Sequence, residues 1–237
     1  MTAPLVFLPG WCLGRGPLNA AVEAKKGQIF DLPGYGETPP SHDFFAAADA
    51  IAARLQPGST LAGWSLGAQL ALAVAVRHPA KVGKLILVAG TASFVQRESW
   101  PHAMPPAVLE EFTASVAADA EAVLPRFVGN FNRGDARARA VTVELLKLAD
   151  PRPAAETLLT GLHWLRDVDL RDLAPHIQAP TLLIHGAADP LMPLAAAEAL
   201  AALIPGARLA VLDGCAHAPF QSRPDDFRAA LDGFLDD

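Results

Sequence analysis

Residues 60–78 constrain the fold more tightly than any other stretch. An apolar run ending at Trp64 passes through Gly63-Trp64-Ser65-Leu66-Gly67 straight into a helical pattern over 66–78. The pentapeptide matches G-x-S-x-G. Between a strand and a helix, that spacing demands a sharp turn with the serine at its apex. Small residues flank the apex because side chains clash where the chain doubles back. A serine pushed out of a strand end in this way is a candidate nucleophile. The pentapeptide is common by chance, so its weight depends on what stands elsewhere in the chain.

Six short, apolar, partly β-branched segments read as strands covered on both faces: 4–8, 27–31, 60–64, 84–89, 180–185 and 208–212. Helical patterns at 44–55, 66–78, 194–203 and 224–235 alternate with them, and Pro224 suits the first turn of the last. This alternation predicts an α/β fold, a mostly parallel central sheet flanked by helices. It breaks after Ala89. Residues 94–172 carry no clear strand but four helical patterns, at 105–117, 119–130, 135–148 and 153–165. The expected organisation is a core built from 1–93 and 173–237 with an inserted helical cap over 94–172. Trp100, Met104, Phe112, Phe127, Phe131, Leu162 and Trp164 in the insertion must pack on the core or on each other, a minority lining a channel.

A nucleophilic serine needs a base, and the base needs a carboxylate to orient it. On a sheet of this kind the chain order is serine, acid, histidine. Asp189 follows the strand pattern at 180–185, and His217 follows the one at 208–212. Each therefore lies just beyond the carboxyl end of a strand, where open α/β sheets place ligands. Taken singly, Asp189 reads as a turn residue before Pro190, and His217 as a loop histidine. With Ser65, the two predict a shared catalytic role; Asp213 is the reserve carboxylate. Donors for a developing oxyanion are expected from the backbone N–H of Leu66, in the first turn of a helix, and of Trp11, in the loop after the first strand. The Trp11 indole is expected in the substrate wall, a role compatible with core packing. His78 is expected to cap helix carbonyls, and His185 to pack or bond near the Asp189 loop. His42, His102, His163 and His176 read as surface or loop residues. No cluster has metal-ligand spacing, so neither metal nor other cofactor is expected.

The chain is 51% hydrophobic, mainly through alanine. No apolar stretch reaches the roughly 18 residues of a membrane span. The start shows no basic region followed by an apolar segment, so no signal peptide is expected. Two cysteines, Cys12 and Cys215, make no disulfide framework. These features suit a cytoplasmic enzyme. A net charge of −6 argues against nucleic-acid binding. Residues 126–152 nonetheless hold six Lys/Arg against three Asp/Glu, with Arg133, Arg137 and Arg139 grouped. That local excess suits an acidic or phosphorylated partner, or is a solvated helix face. No segment announces a dedicated interface, so a monomer is expected.

Six stretches stand out together: Gly10-Trp11, Asp31-Leu32-Pro33-Gly34-Tyr35-Gly36, Gly63-Trp64-Ser65-Leu66-Gly67 and His217-Ala218-Pro219-Phe220, with Arg126-Phe127 and Asp167-Val168-Asp169-Leu170-Arg171 in the insertion. On these, nearly the whole chain resembles the α/β-hydrolase superfamily. More narrowly, it is similar to the biotin-pathway carboxylesterases that remove the methyl ester from pimeloyl-acyl carrier protein. The resemblance implies Ser65 as nucleophile, His217 as base, Asp189 as its orienting acid, and Trp11 and Leu66 as oxyanion donors. It implies Arg133, Arg137 and Arg139 as contacts for acyl carrier protein or its phosphate, and Trp11, Trp64 and Phe131 along the acyl path. The chain departs from the family pattern in three places. Pro9 stands where the family has His before Gly-Trp, the segment from Trp11 to Asp31 is short, and the usual amino-terminal edge strands are missing. A generalist short-chain carboxylesterase, a quinone-pathway enzyme and a C–C hydrolase are the rival enzymes. A non-catalytic binding protein on the same fold is the remote alternative.

Overall fold

The computed structural model describes residues 4–236. The first described strand is an interior one. β1 (Leu5–Leu8) leads through a short α1 (Asn19–Glu23) to β2 (Gln28–Ile29), which pairs on one side of β1. After α2 (Phe44–Arg54), β3 (Ser59–Trp64) pairs on the other side of β1. From there α3 (Leu66–Arg77), β4 (Val82–Val88), β5 (Thr181–Gly186) and β6 (Arg208–Leu212) carry the sheet outward. Among the described residues the strand order is β2-β1-β3-β4-β5-β6, and every pairing is parallel. The direction of winding reverses between β1 and β3. Loops leaving their carboxyl ends diverge there, and the gap between them is where such a sheet receives a ligand. The register pairs Leu8 with Gly63, which sets the Pro9–Gly10 turn beside Trp64–Ser65.

Burial explains the composition. β1 and β3 are buried along their whole length, and ten consecutive residues of α3, Leu66 to Ala75, are buried too. A helix enclosed on all sides is expected to be apolar nearly all round; buried Gln69 is the exception, and the alanines let the helix lie close to the strands. The pattern at 27–31 shrinks to a two-residue strand. It lies at the sheet edge, and Leu32-Pro33-Gly34 turns the chain away directly after it, with Tyr35 N–H donating to the Leu32 carbonyl.

Between β4 and β5 lie α4 (Pro106–Phe131), α5 (Ala138–Leu148) and α6 (Ala155–Asp167). Asp119 has a non-helical backbone (φ −159°, ψ 85°) and splits α4 into two. Its carboxylate accepts from Ala122 N–H and caps the second half, so the two helical patterns read at 105–117 and 119–130 are both present. Ser93 and Asp169 form an antiparallel bridge where the insertion leaves and rejoins the sheet region. Arg171 binds Asp169 through Nε and Nη2, while Arg97 reaches Ser93 Oγ and the Arg166 carbonyl. The acidic-basic motif at 167–171 therefore closes the base of the insertion. α7 (Leu194–Leu203), a short α8 (Pro219–Ser222) and α9 (Pro224–Leu235) complete the fold.

Candidate active site

Ser65 occupies φ 57°, ψ −117° between β3 and α3, a conformation costly for a residue with a Cβ. Its neighbours hold it there. Ser65 N–H donates to Val88 O at 2.9 Å. A Cβ at Gly63 would overlap the Gly67 carbonyl, and one at Gly67 would overlap the carbonyls of Leu8 and Pro9. Both glycines of the motif are thus required by backbone approaching backbone.

The two other residues expected from chain order converge on this serine. His217 Nε2 lies 3.0 Å from Ser65 Oγ, and its Nδ1 lies 2.7 Å from Asp189 Oδ2. With Nδ1–H donating to the carboxylate, Nε2 is free to accept the serine proton. Asp189 Oδ1 accepts from the backbone N–H groups of Leu191 and Met192, each at 2.9 Å. All three residues are buried. A second histidine, His185, stands 3.6 Å from Asp189 Oδ2. Burial pushes its pKa down, so the ring stays neutral and its Nε2–H donates to Met192 O at 2.7 Å. It steadies the Asp189 loop. Asp213, the reserve carboxylate, is exposed.

The backbone N–H groups of Trp11 and Leu66 find no protein acceptor among the described residues. Leu66 opens α3, so its N–H is unpaired by helix geometry and the helix dipole favours an anion beside it. The Trp11 loop is held from below. Cys12 adopts φ 69°, and its N–H donates to Tyr35 Oη at 2.9 Å. The buried tyrosine of the Asp31–Gly36 motif therefore supports the loop, a role its sequence position did not reveal. Burial raises the pKa of both thiols, Cys215 to about 12, which disfavours the thiolate form.

Trp64 has a second role beside lining the space at Ser65. It borders the crevice, but it is 1% exposed and its Nε1–H donates to His217 O at 2.8 Å. It braces the histidine. The Phe131 ring lies 5.2 Å from that of His217. The space at Ser65 is small, about 20 Å³, bounded by Trp11, Trp64, Phe112, Phe127, Phe131 and Leu191. Four of these, Phe112, Phe127, Phe131 and Leu191, also line an apolar groove of about 310 Å³ that continues past Met104 and Leu109 and has Arg133 on its border. A larger cleft of about 800 Å³ lies by Arg15, Asp31 and Arg54 and touches none of the three convergent residues.

The basic group separates into different roles. Arg133 and Arg139 are exposed, Arg133 with a bond to Asn130 Oδ1. Arg137 Nη1 donates to the Ser222 carbonyl at 3.1 Å, so part of its guanidinium is committed to the fold. Between them sits a residue the sequence did not single out. Asp135 is 7% exposed; its Oδ2 accepts from Ala216 N–H at 3.0 Å and its Oδ1 from Arg137 N–H at 2.7 Å. With Ala136 N–H donating to Gly214 O, it pins the loop carrying His217 to the start of α5. His78 also differs from expectation. Its ring pairs with Asp49 at 2.7 Å, beside a two-bond Arg77–Asp49 pair, and among the described residues it caps no carbonyl. Among the described residues no group of His, Cys, Asp and Glu could hold a metal ion, and no helix is long and apolar enough to cross a membrane.

Fold and site define an α/β hydrolase. The model of the Alpha/beta hydrolase family matches residues 5–230, and the chain belongs to that family. It is 41% identical over 236 residues to the pimeloyl-(acyl-carrier protein) methyl ester esterase of Aromatoleum aromaticum, covering 94% of each chain. It is 37% identical to the enzyme of the same name from Stenotrophomonas maltophilia, covering 98% of this chain and 92% of that one. Among solved structures it is similar to an esterase from Exiguobacterium antarcticum, with a TM-score of 0.89, 26% identity and coverage of 99% and 92%.

Proposed function

We propose that this protein is a serine carboxylesterase that hydrolyses the methyl ester of pimeloyl-acyl carrier protein. The observation that carries this is the Ser65–His217–Asp189 chain of hydrogen bonds at the inner end of an apolar groove with an arginine on its border. Relatives bearing that enzyme's name match nearly the full chain.

Ser65 Oγ attacks the ester carbonyl carbon while its proton passes to His217 Nε2. Asp189 stabilises the imidazolium that results. The N–H groups of Trp11 and Leu66 receive the oxyanion. Collapse of the tetrahedral intermediate breaks the carbon–oxygen bond to the methoxy group, which leaves as methanol with the proton from Nε2. Water then attacks the acyl-serine, giving a proton to Nε2. The second collapse returns that proton to Ser65 and frees the carboxylic acid. No step needs a metal or an organic cofactor.

The site suits the substrate's shape. A methyl ester presents a small end to a small space, and the aliphatic chain behind it matches the aromatic walls of the groove. Arg133 and Arg139 remain available to an acidic carrier, with Arg137 held at Ser222. In this reading residues 94–172 act as the cap, Trp11 and Phe131 border the acyl path, and the enzyme works as a cytoplasmic monomer. The test is methanol release from the carrier-bound methyl ester against the free ester. Strong preference for the carrier-bound substrate supports the proposal. Activity confined to free or short esters replaces it with a generalist esterase.

A further inference from the structure

The Trp11 loop is held by the insertion as well as by the sheet. Trp11 Nε1–H donates to the Leu158 carbonyl of α6 at 2.9 Å in a buried contact. α6 comes this near because position 161 carries no side chain. A Cβ at Gly161 would stand 2.6 Å from Trp11 Cδ1, 3.0 Å from Nε1 and 3.5 Å from Leu66 Cδ2. One position on α6 therefore abuts both residues whose N–H groups are unpaired at Ser65. Leu158 and Gly161 are three apart, on one face of the helix.

The chain entering α6 grips the same loop. Asp150 N–H donates to Leu13 O at 3.0 Å, and Gly16 N–H donates to Asp150 O at 2.9 Å. A Cβ at Gly16 would overlap the Leu148 carbonyl. From α4, Phe112 and Phe127 meet the indole edge-on at centroid distances of 5.7 and 5.3 Å. The indole is thus fixed by α6 and α4, the loop after it by the chain entering α6, and the peptide of Trp11 follows.

We propose that α6 positions the oxyanion hole, with Gly161 as the positioning residue that sets where the Trp11 and Leu66 N–H groups point. This rests on the serine-esterase reading above. Donors act only when they meet the developing oxyanion at about 2.7–3.1 Å, and loss of one costs about 10²–10³ in kcat. A methyl group at position 161 drives the indole or α6 aside and spoils that distance without touching Ser65, His217 or Asp189.

The experiment uses the full chain carrying Gly161→Ala, with p-nitrophenyl butyrate as substrate. A trifluoromethyl ketone serves as inhibitor, because it adds to the serine and places an oxyanion in the hole. Expected are a kcat at least about tenfold lower, a KM within about twofold, and inhibitor affinity lost in step with kcat, as for an interaction made only in the transition state. A merely structural role lowers melting temperature or active fraction and leaves this kcat-to-KM split and the inhibitor affinity per active site unmoved. A folded Gly161→Ala protein with wild-type kcat, or with kcat lowered and inhibitor affinity intact, overturns the proposal. If Gly161→Ala does not fold, Trp11→Phe deletes the indole N–H without adding volume and is judged by the same readings. Ser65→Ala, assayed alongside, separates the two ideas: if it still hydrolyses ester, the serine-esterase reading fails by itself.

Discussion

Asp135→Ala is expected to damage both stability and turnover, although residue 135 lies outside the three convergent residues. Its carboxylate accepts two backbone N–H groups, from Ala216 and Arg137. Hydrogen bonds to a charged group contribute about 1.5–3 kcal/mol each, and a buried donor left unpaired costs about 1–3 kcal/mol. Ala216 is fully buried, so its N–H is the one stranded. Arg137 is exposed, and water replaces its lost partner. Relief of the cost of burying a carboxylate offsets part of the loss. The net expectation is about 2–4 kcal/mol. At about 2–4 °C per kcal/mol for a chain of this size, 3 kcal/mol corresponds to a fall in melting temperature of about 6–12 °C. Ala216 precedes His217, so the released loop lets Nε2 drift from the 3.0 Å it now keeps to Ser65. Misplacement by about 1 Å costs on the order of 10²-fold in rate. Thermal melts and ester turnover at a temperature where the variant is folded measure the two effects separately. An Asp135→Ala protein with wild-type melting temperature and kcat refutes the role assigned to this carboxylate.

Three further outcomes follow from the same geometry. Ser65→Gly is expected to abolish ester hydrolysis while raising stability by about 1–2 kcal/mol in urea unfolding, because glycine accepts the positive φ at the turn without strain; a less stable variant contradicts the strain. Stability is expected to fall as pH drops below about 6.5, because the unfolded chain then protonates His185 while the folded chain, with its pKa lowered by burial, does not; urea melts at about pH 7.5 and about pH 5 should show a smaller loss in His185→Gln than in the parent. Arg133→Glu is expected to raise KM for the carrier-bound ester several-fold at low salt and leave kcat/KM for p-nitrophenyl butyrate unchanged; equal effects on both substrates place Arg133 on the acyl path instead.

The residues that converge at the site were legible in the sequence, and the neighbours that hold them were not. Ser65 was legible, but Tyr35, which holds the opposing loop, was not. Asp189 and His217 were legible through chain order, but Asp135, which holds the His217 loop, was not. Trp64 was expected at the site and is there, yet its indole N–H serves the histidine carbonyl. Arg137 was expected to face a partner, and part of it faces the Ser222 carbonyl.

The divide has a physical cause. A glycine-flanked serine at a strand-to-helix junction, alternating apolar runs and helical spacing are consequences of sterics and burial within a few residues, so the α/β sheet, the Ser65 turn and the chain order of Ser65, Asp189 and His217 can be read from the chain alone. The supports are different in kind. Trp11 meets Leu158 across 147 positions, and Asp135 meets Ala216 across 81. No local period or propensity marks such a pair, because its existence depends on two distant segments being brought within hydrogen-bond range. Only the packing of the inserted helices on the loops of the sheet decided that Gly161 stands against Trp11, that Asp135 is buried, and that the groove runs between α4 and the loop of Asp189.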